Sequence, residues 1–239
     1  MSDVNRSGSA VGIALPDGGE MGAYLALPPS GKGPGIVLIQ EIFGVNSAMR
    51  RAADEFAAAG YVVAVPDLFW RLSPGVELGY SEDERTRAFG LMTAFDFGQG
   101  VQDLGQTLRW LDGRDETVGG VALLGFCMGG KLAVIAGAAN PQVAAVISFY
   151  GVKLDDNLEQ IRSIGCPLQI HVGDKDSHVP METVATLGKT VEDIANAELF
   201  VYAGAEHAFF NGDRGDVFHP AAAKLAMERT LKVLGDVLD

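Results

Sequence analysis

The sequence predicts an α/β protein: a mostly parallel central sheet with helices packed on both of its faces. Two observations carry that expectation. Short apolar runs alternate with longer segments of helical periodicity, as parallel strands joined by helical crossovers require. The chain has 239 residues, 48% of them hydrophobic, which suits one large core and a single domain over residues 1–239.

The elements follow in order. VGIALP and GAYLALP flank a turn at DGGE, which predicts an edge hairpin within residues 1–30. Further strands are expected at GIVLIQ (35–40), YVVAVP (61–66), VALLG (121–125), VAAVISFYG (143–151), PLQIHVG (167–173) and ELFVYAG (198–204). Between and after them, AMRRAADEFAAAG (48–60), QDLGQTLRWLDG (102–113), GGKLAVIAGAA (129–139), METVATLGKTVEDIANA (181–197) and AAAKLAMERTLKVLGDVL (221–238) read as helices. Residues 71–100 break this rhythm. They are long, charged and helical only in part, an insertion of the kind that borders a site.

Charge and composition exclude several function classes. The net charge is −13 with no block of basic residues, so a nucleic-acid partner is not expected. The opening MSDVNRSGSA lacks a basic segment followed by an apolar run, and no apolar stretch approaches a membrane span. A soluble, cytoplasmic protein is expected. Two cysteines, Cys127 and Cys166, are too few for a disulfide scaffold. The histidines at 171, 178, 207 and 219 show no zinc-like spacing, so no metal site is expected.

In open parallel sheets ligands bind beyond the carboxyl ends of the strands, so residues just after strands come first. GFCMGG, after VALLG and before a small-residue helix, has the G-x-C-x-G form of a nucleophile elbow with cysteine in the place of serine. A sharp strand-to-helix turn crowds the nucleophile's neighbours and so calls for the flanking glycines, and the helix N-terminus favours a thiolate. By itself Cys127 reads equally well as a small buried residue. The rest of the chain tips the balance. A thiol nucleophile needs a base and the base an orienting acid, in chain order nucleophile, acid, histidine. DKDSHVP places Asp174 and Asp176 after one strand, and AEHAFFN places His207 after the next. Cys127, Asp176, His207 is the required order, although spacing alone also admits Asp174. Cys166 precedes Pro167 at a strand start, the wrong end of the sheet. The backbone N–H groups of Met128, after the nucleophile, and Ile42, in QEIFGVN, are the candidate oxyanion donors. Glu41 beside them is either a locally hydrogen-bonded surface carboxylate or one that contacts the thiol.

With QEIFGVN, PDLFWR, DERTR, GFCMGG, DKDSHVP and AEHAFFN in this order, the chain resembles the dienelactone hydrolase (carboxymethylenebutenolidase) family of the α/β-hydrolase fold from about Gly35 to the last helix. The resemblance implies a monomeric cytoplasmic hydrolase, without cofactor, that opens a small enol-lactone by thiol attack through an acyl-enzyme. Cys127 would be nucleophile, His207 base, Asp176 its orienting acid, and Glu41 the carboxylate that holds the resting thiol and takes up its proton. Arg87, the second arginine of DERTR, would clamp a substrate carboxylate; its other reading is an exposed helix cation paired with Glu84 or Asp83. Tyr150, Phe43, Asn211 and Arg214 would complete the substrate pocket. Two departures bear on specificity. Asn211 stands where the best-known members carry an arginine four residues after the histidine, and the spacing from DERTR to AFDF is short for the family. The competing readings are an esterase or lactonase for a less anionic substrate, and a non-catalytic ligand-binding or thiol-sensing member of the fold.

Overall fold

The computed structural model describes residues 8–238. Residues 1–7 of the expected N-terminal hairpin, and with them most of the opening segment, lie outside the described residues. Eight strands form one sheet in the order β1-β2-β4-β3-β5-β6-β7-β8. The edge hairpin joins β1 (Gly8–Ala14) to β2 (Glu20–Ala26) antiparallel, and β2 pairs antiparallel with β4 (Val62–Pro66). From β4 onward every pairing is parallel, through β3 (Gly33–Ile39), β5 (Thr117–Phe126), β6 (Val146–Phe149), β7 (Leu168–Gly173) and β8 (Ala197–Tyr202).

Strands buried on both faces are expected to be apolar; β3 and β4 are, and β6 departs only at Ser148. The core accordingly divides into two clusters, one per face. One joins alternate strand residues such as Ile36, Leu38 and Leu124 to α1 (Ser47–Ala58) and α7 (Pro220–Leu238) through Phe56, Ala226 and Leu234. The other joins Val37, Ile39 and Leu123 to α3 (Phe97–Asp112), α4 (Met128–Ala139), α5 (Leu158–Ser163) and α6 (Met181–Glu192) through Leu104, Leu132, Ile161 and Leu187.

Three elements differ from expectation. The strand expected over 143–151 is only four residues long. It ends because Tyr150 turns to φ 40°, and its N–H donates to the His171 carbonyl at 2.7 Å. The helix expected over 181–197 stops at Glu192, and the last residue of its expected span, Ala197, already begins β8. Residues 71–100 contain a complete helix, α2 (Glu82–Ala94), started by a reciprocal capping box between Ser81 and Glu84. Only Ala88 of that helix is fully buried, so α2 lies over the body of the protein and does not enter its core.

A titratable group sits at the centre of the α7 face. His171, on β7, is fully buried and stacks on Phe149 at 4.6 Å and Phe200 at 5.2 Å, with Tyr202 Oη 2.8 Å from Nδ1. Burial, with the Arg229 charge adding to it, lowers its pKa from 6.5 to about 3. The folded protein therefore refuses a proton that the unfolded chain accepts below pH 6.5. Stability from this site is complete above pH 6.5 and is lost as pH falls from 6.5 towards 3, at about 1.4 kcal/mol per pH unit. Urea unfolding at pH 7.5 and pH 5 is expected to show a loss in the wild type of about 2 kcal/mol that His171→Phe lacks. An equal pH dependence in the two proteins would contradict this assignment.

Candidate active site

The site is built where β3, β5, β7 and β8 run out. Cys127 follows β5 at φ 56°, ψ −117°, a conformation that the sharp entry into α4 imposes. The flanking glycines are required by contact. A Cβ on Gly125 would lie 2.0 Å from the Gly129 carbonyl oxygen, and one on Gly129 would lie 2.4 Å from that of Ile39. The turn thus packs backbone on backbone, and Cys127 is left half-buried at the wall of a cavity of about 360 Å³.

The Asp176 carboxylate is buried in the turn after β7, where Oδ1 accepts from the N–H groups of His178 (2.8 Å) and Val179 (3.1 Å). Its Oδ2 accepts from Nδ1 of His207 at 2.8 Å. Asp174 is turned elsewhere and accepts from the Gly204 N–H at 2.7 Å, which resolves the choice that spacing left open. The His207 imidazole faces Cys127. Burial opposes its protonation, but the Cys127 charge, hydrogen bonds to Asp176 and Cys127, and the Asp176 charge together hold its pKa well above the ordinary histidine value. Ile42 and Met128 both line the cavity. As the first residue of α4, Met128 has an N–H with no carbonyl one turn earlier to bond.

Glu41 is 2% exposed and lines the same cavity. Its hydrogen bonds come from Tyr150 Oη at 3.2 Å and Asn211 Nδ2 at 3.1 Å. Burial raises the Glu41 pKa, against the opposing influence of the His207 charge, the two hydrogen bonds and the Arg214 charge.

Three residues expected on the pocket wall lie elsewhere. Tyr150 is fully buried and Asn211 4% exposed; both support Glu41 from behind and border a second cavity between α1 and α7. Asn211 also donates to Tyr80 Oη at 2.8 Å. Arg87 points outward, its Nη2 3.4 Å from Ser73 Oγ. Of the two arginines of DERTR it is Arg85 that lines the cavity, with Nε donating to the Tyr80 carbonyl at 2.9 Å. Residues two apart on a helix are about 200° apart, so only one of the pair can face the site. The phase is fixed by the Ser81 cap, a signal present in the sequence as S-E-D-E. Phe43 and Arg214 do line the cavity, and Arg214 also pairs with Asp216 at 2.8 Å. Sequence reasoning missed Phe89, Met92, Phe97, Lys131, Lys153 and His178, which complete the wall.

Among the described residues no group of three or more His, Cys, Asp or Glu side chains could hold a metal ion, and no helix is long and apolar enough to cross a membrane.

An eight-stranded, mostly parallel sheet covered on both faces, with a cysteine elbow after β5 and an Asp–His pair after β7 and β8, defines a protein of the α/β-hydrolase fold. Residues 21–238 match the dienelactone hydrolase family, and the chain belongs to it. A protein of Azospirillum brasilense provisionally named carboxymethylenebutenolidase is 37% identical over 229 residues, which cover 92% of this chain and 95% of that one. The carboxymethylenebutenolidase of Pseudomonas sp. (strain P51) is 35% identical over 218 residues, 91% of this chain and 90% of that one. A crystal structure from Klebsiella pneumoniae subsp. pneumoniae, provisionally described as a dienelactone hydrolase, superposes with a TM-score of 0.83 at 27% identity, covering 95% of this chain and 98% of that chain. The chain is accordingly a hydrolase of ester or lactone bonds.

Proposed function

We propose that this hydrolase opens a small enol-lactone such as dienelactone through an acyl-enzyme on Cys127. The observation that carries the reading is the Asp176–His207 hydrogen bond beside a cysteine held at φ 56° on the same cavity wall. The Cys127 thiolate attacks the lactone carbonyl carbon, forming a C–S bond. The N–H groups of Ile42 and Met128 receive the oxyanion. As the tetrahedral species collapses, the ring C–O bond breaks and the ring oxygen departs as an enolate, which takes a proton directly or through His207. Water then attacks the thioester, its proton passing to His207, and a carboxylic acid and the thiol are released.

In this reading Glu41 is the resting partner of the thiol and its proton acceptor. Its burial and raised pKa support that role, since a carboxylate that protonates easily can take up a thiol proton. Tyr150 and Asn211 hold Glu41 in place. Arg85, with Arg214, supplies the clamp for a substrate carboxylate in place of Arg87. The second reading is an esterase for a less anionic substrate, which the turning of Asn211 away from the cavity favours.

Steady-state hydrolysis of cis- and trans-dienelactone beside a neutral ester separates the two. Dienelactone is expected to be preferred by at least about 100-fold in kcat/KM, a preference that Arg85→Met removes. Cleavage of the neutral ester alone would overturn the lactone assignment and keep the ester hydrolase.

A further inference from the structure

The protein is strongly acidic, yet its catalytic cavity is not. Four cations, Arg85, Lys131, Lys153 and Arg214, line it against one carboxylate, Glu41. Only 18 of the 239 residues are lysine or arginine, and the net charge is −13. Cations this scarce gathered in one concavity create a local potential opposite in sign to the surface around it, which favours anionic ligands.

The four cations fall into two groups. Arg85 and Arg214 both gather on Tyr80: Arg85 donates to its carbonyl at 2.9 Å, and the Arg214 guanidinium lies 5.7 Å from its ring centre. Asp216 is paired with Arg214 and feels the Arg85 charge, so this group is partly neutralised. Lys131 and Lys153 belong to the nucleophile elbow. The N–H groups of Lys131 and of Val152, the neighbour of Lys153, both donate to the Cys127 carbonyl, at 3.3 and 3.4 Å. Lys131 Nζ lies 5.6 Å from the Phe97 ring centre, and neither lysine has an ion-pair partner among the described residues. Lys153 is moreover held at φ 52°, unusual for a lysine. The elbow needs neither charge for its own geometry, and the positive end of α4 adds to theirs.

We propose that Lys131 and Lys153 form a second anion subsite, which holds the carboxylate released when the lactone opens. The substrate's own carboxylate is held by Arg85 and Arg214 and the released one by the lysines, with Cys127 between them and aromatic walls supplied by Phe43 and Phe97. This rests on the reading of the cavity as the site that opens a carboxylate-bearing lactone, and it specifies a dicarboxylate product held at both ends.

The test uses binding, so that it does not depend on turnover. Glutarate, adipate and pimelate are titrated calorimetrically into the intact protein beside butyrate, hexanoate and octanoate, with the wild type, Lys131→Met, Lys153→Asn and the double variant. Asparagine is chosen at 153 because it tolerates positive φ. In the wild type at least one dicarboxylate is expected to bind 10-fold or more tightly than every monocarboxylate. In the double variant that ratio falls to about 2, the statistical advantage of a ligand with two equivalent ends. A wild-type ratio of about 2, or a larger one that survives in the folded double variant, overturns the proposal. Neutral p-nitrophenyl acetate, assayed on the same wild-type preparation, reports separately on the hydrolase: an inert wild type that still prefers dicarboxylates removes the catalytic reading and leaves the subsite.

Discussion

Cys127→Ala is expected to abolish steady-state hydrolysis of p-nitrophenyl acetate and of any lactone substrate, a fall of at least about 10⁴-fold in kcat. No other side chain on the cavity wall is a comparable nucleophile, since the second cysteine, Cys166, lies at the opposite end of the sheet where burial raises its thiol pKa. Alanine keeps the Cβ of cysteine and so carries the same φ 56° strain with the same neighbours. Circular dichroism and the urea midpoint should therefore stay near wild type. Retention of more than about 1% of activity in a folded variant would remove the covalent mechanism and leave His207 activating water directly. The variant also separates enzyme from sensor. A thiol sensor would lose a sulfenic acid without ever having had turnover.

Much of the candidate site was legible because it depends on local backbone demands that particular residues announce. Gly125 and Gly129 occupy positions where a side chain would meet a carbonyl oxygen, and Cys127, Asp176 and His207 each follow an apolar run that forms a strand. The cavity wall was less legible because it depends on rotation about helix axes and on turns after short strands. Arg85 and Arg87 differ only in helix phase, and phase follows from where Ser81 starts α2. Tyr150 ends β6 with a positive φ, which sends its ring behind Glu41 and not into the cavity. Asn211 is a case where a chemical difference was visible and its consequence was not. A neutral amide there can still hold Glu41, but it adds no positive charge beside the carboxylate, which is one reason burial prevails in raising the Glu41 pKa. Nothing in the sequence marks Lys131 and Lys153, and only the fold around the Cys127 carbonyl draws them into one cavity.

His207→Asn carries the second large effect, a fall in kcat/KM of at least about 10³-fold with the fold retained. In the proposed mechanism the imidazole performs two tasks that asparagine cannot. It would balance the charge of Cys127, and it would move protons in both halves of the reaction. Its pKa is raised in the folded protein, so the energy of the charged pair is fully present below the ordinary histidine value near 6.5 and fades as pH rises through the raised one. Two consequences separate this role from simple packing. Iodoacetamide should alkylate Cys127 in the wild type at pH 6.5 at least about 10-fold faster than in His207→Asn, because an imidazolium beside a thiol favours its nucleophilic form. The stability lost in His207→Asn should also be larger at pH 6 than at alkaline pH, whereas a lost packing contact would cost the same at both. Equal alkylation rates in the two proteins would mean that the thiol draws its charge from Glu41 or from the start of α4, and the base would have to be sought there.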